Sequence, residues 1–541
     1  MKKLFILLAA VAIVFSSKAQ VDQEDVLVGQ SCTSIMVGKD ASADGSVMTS
    51  HTCDGRYRTW MYVEPAADYP DGAMHKVYRG TMHTAFRGDT TGVRLMGEIP
   101  EVQHTYAYLN TAYPCLNEKQ LAIGESTFGG PKVLENPQGL FTIEELQRIA
   151  LQRCDNARSA IKMIGELAEK YGYGDGGECI TLADKNEVWQ MEIIGAGKNV
   201  IGAVWVAQRV PNNAVAVSCN IPRIGKLNRG SRDFMCSNNV ERVAKKNGLW
   251  DGKGEFVFWR AYNCDYANGK NFLERELHIF RTLAPSRNFT INASELPFCF
   301  VPDKKVSARD VMELLRATYE GTEFDMTRNL KMVVNKKDKD GKVYNDTIPS
   351  TIANPWMGGA MQRTLNYLDP NAVVFHRGVS VAWCSYSFVA QMRSWLPDEV
   401  GGVLWMSVDN PAESPRIPIF CGTTILPSAF GLCGHKGYND NAILWQYRKA
   451  NKLATVAWQS TKTLVNAEVQ VQETKAFEGL PSLECAVNNL FSNAETPAEV
   501  KTYKQASANL LNDYTAKVYD ETSYAWKQLE QRLWERFGMG F

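Results

Sequence analysis

Residues 32–54 restrict the fold of this chain more than any other stretch. Two short apolar runs, Thr33–Gly38 (TSIMVG) and Ser46–Ser50 (SVMTS), flank a polar turn, Lys39–Gly45 (KDASADG). Runs this short, separated by Asp and Gly, spell strand, turn, strand. Further strand signals fall at Gln120–Gly124, Glu178–Ala183, Glu187–Ile194, Val200–Gln208 and Ala214–Asn220, and again at Ala372–His376, Val379–Tyr386 and Gly402–Val408. Two helical patterns interrupt them. Thr142–Gly172 opens on a capping-type Thr-Ile-Glu-Glu, and Ser307–Tyr319 opens on Ser307 and Asp310. Strands, helices, then more strands predict an α+β protein rather than alternating βαβ units. Lys331–Ser350 reads as a solvated hairpin, and from about Asn439 the chain turns into Lys/Glu/Gln/Ala-rich helix ending in Trp526, Leu529, Leu533 and Trp534.

The N-terminus carries an address. Lys2 and Lys3 precede the apolar run Leu4–Phe15, followed by Ser17-Lys18-Ala19, which is the three-part pattern of a cleaved signal peptide over residues 1–19. Twelve apolar residues are too few to span a bilayer, which takes about 20. Export therefore predicts a secreted or periplasmic protein. Gln20–Ser31 is short, acidic and aperiodic, and reads as a removable propeptide; the remainder divides into a main domain over 32–438 and a helical region over 439–541. With 59 Lys+Arg against 59 Asp+Glu there is no long-range field to draw the chain onto nucleic acid or anionic lipid. No nucleic-acid or membrane partner is expected, and a homo-oligomer is left open.

Several chemistries lack their residues. The glycines of Tyr171–Gly177 are followed by no Gly-Lys-Ser/Thr and open no helix with G-x-G-x-x-G, so they read as a turn. Asp338 and Asp340-Gly341 resemble part of a calcium loop, but Lys336 and Thr347 stand at its first and twelfth positions. The seven histidines are scattered, with no H-E-x-x-H and no paired C-x-x-C. No metal or cofactor is expected.

The thirteen cysteines are an odd number, so oxidative pairing would leave at least one thiol over. Cys32 is the candidate. If processing makes it the first residue, a thiol of ordinary pKa about 8.5 and an α-amine of about 7.7–8.0 sit on one residue, nucleophile and base together. The amine takes the thiol proton, sulfur attacks an amide carbonyl, and the protonated amine serves the leaving nitrogen. A carboxylate such as Asp54 would hold the ammonium, and an Asn amide could stabilise the oxyanion.

The segment Cys32–Asp54, CTSIMVGKDASADGSVMTSHTCD, resembles the start of the PepD-type cysteine dipeptidases, N-terminal nucleophile hydrolases related to the secernins and, more distantly, to penicillin V acylase and bile-salt hydrolase. The resemblance continues through Leu116–Thr127 (LNEKQLAIGEST), Glu178–Glu192 (ECITLADKNEVWQME) and Val204–Ile224 (VWVAQRVPNNAVAVSCNIPRI), and through Gly402–Trp405, Pro418–Gly422 and Leu444–Arg448. It covers most of Cys32 to about Leu453. It implies an αββα four-layer sandwich, Cys32 as nucleophile and base, Asp54 as its carboxylate partner and Asn220 as oxyanion donor. His51 stands where many relatives carry an arginine, three residues before the aspartate, and Arg287 is the candidate for the distal arginine of the acylases. The bland readings are a turn at Asp54-Gly55, a turn cap at Asn220, a surface salt bridge for Arg287, core packing for Trp189, Trp205 and Trp405, and structural roles for Glu125 and Glu192.

The expectation is an exported cysteine dipeptidase acting on small peptides. The alternatives are an amidase or acylase on N-acyl amino acids, using the same nucleophile with an apolar pocket, and an exported binding protein that kept the fold and lost catalysis.

Overall fold

The computed structural model describes residues 31–263, 270–291, 296–492 and 496–540. The expected signal peptide and all of the expected propeptide except Ser31 lie outside the described residues.

Two antiparallel sheets form the centre. One has seven strands, in spatial order Cys299–Phe300, Val215–Ser218, Ser34–Val37, Val47–Asp54, Cys384–Met392, Gly402–Val408 and Ile417–Phe420. The other has eight, running from Phe234–Cys236 through Ala203–Val210, Val188–Gly195, Gly177–Ala183 and Ala122–Gly129 to Leu116–Asn117, Tyr108–Asn110 and Tyr62–Glu64. The hairpin of residues 34–54 opens the seven-stranded sheet as its sequence predicts. Its turn is built by Asp44, whose Oδ1 accepts from Ser42 Oγ (2.8 Å), Ser46 N–H (3.0 Å) and Ser46 Oγ (2.6 Å), while Gly45 takes φ +84°.

The sheets touch through small polar side chains. Thr49 Oγ1 meets Thr181 Oγ1 at 2.6 Å, Ser126 Oγ meets Ser218 Oγ at 2.7 Å, and Ser34 Oγ donates to the Glu125 carbonyl. Gly124 permits the approach: a Cβ there would lie 2.7 Å from the Ser50 carbonyl oxygen and 3.3 Å from His51 Cβ. Helices cover the outside. Ala157–Tyr171 lays Gly165 against the Trp205 indole of the eight-stranded sheet, and Trp458–Ser492 stacks Phe477 on Trp405 of the seven-stranded sheet at 4.0 Å. Trp189, Trp205 and Trp405 are buried core residues, the packing role weighed for them.

Four elements differ from expectation, one of them by position, the strand expected over Val379–Tyr386 being Cys384–Met392. The single helix expected over Thr142–Gly172 is two, Ile143–Arg153 and Ala157–Tyr171. Asn156 starts the second by accepting from Ser159 N–H at 2.9 Å, whereas Thr142 makes no side-chain cap. Ala372–His376 is not a strand: the Asn366 side chain satisfies both the N–H and the carbonyl of Val373, at 2.9 Å each, in place of a neighbouring strand. In the terminal helix, Pro497–Phe537, Trp526, Leu529 and Leu533 are buried at i, i+3 and i+7, but Trp534 falls off that stripe and is 54% exposed.

Candidate active site

Strand register assembles the site. Ser34 lies opposite Ser218, so carrying the antiparallel pairing two residues back sets Cys32 opposite Asn220. On the other flank Met36 opposes Thr49 and Thr33 bridges Thr52. One step further back sets Cys32 against Cys53 and Ser31 against Asp54. The backbone that joins residues 31 and 32 is thus held between Asn220 on one strand and Asp54 on the other.

Two buried guanidinium groups lock this arrangement. Arg275, on the helix Lys270–Leu283, donates through Nη1 to the Cys32 carbonyl (2.6 Å) and Thr33 Oγ1 (2.8 Å), and through Nη2 to the Cys219 carbonyl (2.9 Å) and Asn220 Oδ1 (2.7 Å). A guanidinium only donates, so it fixes which end of the Asn220 amide is oxygen. The Nδ2 end faces the other way and donates to the Thr127 carbonyl at 2.6 Å. Asn220 itself sits at φ +65°, in the left-handed region that asparagine enters more readily than most residues with a side chain. Arg377 pairs with Asp54 Oδ2 and also donates to the carbonyl and Oγ of Ser31. Asp54 Oδ2 accepts from Thr52 Oγ1 as well, at 3.0 Å, while among the described residues its Oδ1 has no nitrogen or hydroxyl donor.

A second group of side chains meets Cys32. Its Sγ, a His51 ring nitrogen and a Glu125 carboxylate oxygen lie within 4.8 Å of one another, all buried. Sulfur, imidazole and carboxylate are also donors that a zinc-type ion accepts. His51 Nδ1 is 2.9 Å from the Glu125 carbonyl oxygen, which can only accept, so Nδ1 carries the proton; the Glu125 N–H approaches the same nitrogen only at 3.4 Å. The lone pair on Nε2 then points toward Glu125 Oε1, 3.7 Å away. Burial lowers the His51 pKa to about 4, which keeps the ring neutral. Burial raises the Glu125 carboxyl to about 7, and burial followed by the charge of Glu125 drives Glu178 well above the usual carboxylate range. The Cys32 thiol is raised too, by burial first and then by the Glu125 and Asp54 charges, so sulfur in this setting is a neutral thiol that needs a base.

Cys32, His51, Asp54 and Asn220 therefore come together, and Arg287 does not join them. Arg287 is exposed; its backbone N–H closes a turn onto the Ala284 carbonyl, and its charge acts on Asp303. The arginines at the site are Arg275 and Arg377, which sequence reading missed. A signal for the first was present: Glu274-Arg275-Glu276 puts three charges in a row, and all three are buried. Glu274 pairs with His376 at 2.9 Å and Glu276 with Arg223. Glu192 has the structural role weighed for it, accepting from Arg223 N–H (2.6 Å) and Ile224 N–H (3.0 Å) and so holding the loop that follows Asn220.

Comparison with known proteins matches residues 31–471 to peptidase family C69, so the matched segment opens one residue before Cys32. Over 407 residues the chain is 26% identical to a probable dipeptidase of Latilactobacillus sakei, covering 72% of this chain and 74% of that one. It is 23% identical over 451 residues to probable dipeptidase B of Streptococcus pyogenes serotype M1, covering 79% of each. A probable dipeptidase of Salmonella dublin is 24% identical over 418 residues, 72% of this chain and 81% of that one.

Proposed function

This chain belongs to peptidase family C69, and we propose that it is an exported dipeptidase whose nucleophile is Cys32, freed as an N-terminal residue by removal of residues 1–31. The observation that carries this reading is the Arg275 clamp, which binds Cys32, Thr33, Cys219 and Asn220 at once. Such a set is costly to bury and serves no strand pairing; it fixes a thiol-bearing residue against an amide whose donor end is oriented. The dipeptidase names of the relatives supply the substrate class. The two face-packed sheets, with helices on their outer sides, support the αββα sandwich of an N-terminal nucleophile hydrolase.

In this mechanism the freed amine of Cys32 lies beside Asp54, whose Oδ1 has no nitrogen or hydroxyl donor among the described residues and would receive its ammonium form. The neutral amine takes the thiol proton, which the raised thiol pKa otherwise retains. Sulfur attacks the scissile carbonyl, the second N–H of Asn220 Nδ2 stabilises the oxyanion, and the ammonium protonates the departing amine. Water then hydrolyses the thioester, with the amine again as base. Nothing in the scheme asks His51 to titrate.

The test is intact mass and N-terminal sequencing of the exported protein, with Cys32→Ala beside the wild type. A wild-type chain that starts at Cys32, with Gln20–Ser31 retained in the variant, is expected. A wild-type chain that starts at Gln20 has no amine at residue 32, and the mechanism fails. Turnover of N-acyl amino acids with none of dipeptides would instead make the enzyme an acylase.

A further inference from the structure

Among the described residues, both carboxylate oxygens of Glu125 and His51 Nε2, beside Cys32, and Oε2 of the adjoining Glu178 have no nitrogen or hydroxyl donor; the Glu125 carboxyl has only the Cys32 thiol and the Glu178 carboxyl against it. All three side chains are buried, at most 2% exposed. Among the described residues neither glutamate has an arginine or lysine within ion-pair distance, whereas Asp54 has Arg377 and Glu276 has Arg223. Glu178 Oε1 accepts from Thr127 Oγ1 at 2.8 Å, and its carboxyl abuts that of Glu125. Two buried carboxyls side by side, faced by an imidazole nitrogen that can only accept, form a site short of one cation.

We propose that Glu125, Glu178 and His51 Nε2 form the subsite that receives the free α-ammonium group of the substrate's first residue. The inference rests on the reading of Cys32 as the nucleophile of a dipeptidase. In an amino-terminal residue the α-nitrogen stands about 2.5 Å from its own carbonyl carbon, two bonds away. A thiol poised for attack lies about 3–3.5 Å from that carbon. An ammonium group therefore falls within about 6 Å of sulfur whichever way the residue turns, and the Glu125 oxygen and His51 nitrogen lie within 4.8 Å of Cys32 Sγ.

Three acceptors match the three N–H donors of an ammonium group, as they would not match an amide, which has one N–H and no charge. The subsite thus selects for a free amine, the property that separates a dipeptidase from an acylase. Its charge is opposite to that of Arg275 and Arg377 on the other flank of Cys32. The raised carboxyl of Glu125 fits the same picture, since without substrate the acid pair must hold a proton in place of the missing cation.

The experiment is calorimetric binding of a ketomethylene isostere of alanylglycine, and of its counterpart lacking only the amino group, to the mature enzyme in EDTA. The amine-bearing form is expected to bind about thirtyfold tighter, the scale of a hydrogen bond to a charged group. Glu125→Gln should reduce that preference to within about threefold, Glu178→Gln should reduce it in part, and Glu125→Asp should restore some of it. Should Glu125→Gln fail to fold, Glu178→Gln carries the test. Equal binding of the two isosteres by the wild type overturns the subsite, as does a preference undiminished in both glutamine variants. A preference seen only without EDTA also overturns it, in favour of a metal ion seated on Cys32, His51 and Glu125. Dipeptide hydrolysis is assayed separately: its absence, with the isostere preference intact, refutes the dipeptidase reading and leaves the subsite standing.

Discussion

Replacing Arg275 with methionine keeps an unbranched apolar stem and removes four hydrogen bonds in one step. The acceptors left behind are the Cys32 and Cys219 carbonyls, Thr33 Oγ1 and Asn220 Oδ1, all buried. Stranding a buried acceptor costs about 1–3 kcal/mol, so four amount to about 4–12 kcal/mol before offsets. The guanidinium carries its own penalty: burial first, and then the neighbouring Arg377 charge, draw its pKa down to about 10. Methionine relieves that penalty, and the net loss should be about 2–5 kcal/mol, a large part of an ordinary stability margin. The catalytic effect is separate. With Oδ1 released, the Asn220 amide can turn, and loss of an oriented oxyanion donor costs about 10²–10³ in kcat. Denaturant midpoints and kcat on a dipeptide read the two effects. Asn220→Asp divides them, because its carboxylate still pairs with Arg275 while its donor is gone; it should keep most of the stability and lose the rate. An Arg275→Met enzyme with an unchanged midpoint and kcat within threefold of wild type would refute the reasoning.

Asp54→Asn leaves the buried Arg377 without its carboxylate; maturation at residue 32 should slow, and stability should fall by about 3–5 kcal/mol. Normal processing with full activity would remove Asp54 from the mechanism. Burial raises the Glu413 carboxyl from 4.5 to about 8, so the folded chain holds a proton that the unfolded chain releases. Its contribution to stability is complete below about pH 4.5 and is lost as pH rises toward 8, by at most about 1.4 kcal/mol per unit; denaturant midpoints of Glu413→Gln should vary less over that window. Gly165→Ala would drive a Cβ to 2.4–2.6 Å from the Trp205 ring, which is tethered to Glu169 at 2.7 Å. Overpacking of this kind should cost about 1–3 kcal/mol and shift tryptophan emission.

The hairpin of residues 34–54 was legible because its signals are local: Asp44, Gly45 and Ser46 make their own turn, and the apolar runs on either side are short. The break at residues 154–156 was less so, because the apolar periodicity continues across it and only the Asn156 cap interrupts the backbone. Ala372–His376 has the composition of a strand, yet Asn366 satisfies Val373 first, and no pattern within five residues reveals a competitor six or seven positions away.

The site divides along the same line. Cys32, His51, Asp54 and Asn220 lie on strands or just beyond their ends, so a family resemblance over contiguous residues carries them together. Arg275 and Arg377 come from a helix and a loop hundreds of residues away, and their roles follow from what surrounds them in space. A buried arginine reads in sequence like any surface arginine, which is why the sequence singles out Arg287, an exposed group, and passes over the buried Arg275 and Arg377. Glu125 shows the converse. Its local sequence fits a structural carboxyl, but the packing of one sheet on the other brings it beside Cys32, with no arginine or lysine in ion-pair range among the described residues. An uncompensated carboxyl deep in a core is expensive for the folded chain alone, and that expense is explained if a substrate bearing an ammonium group completes the site.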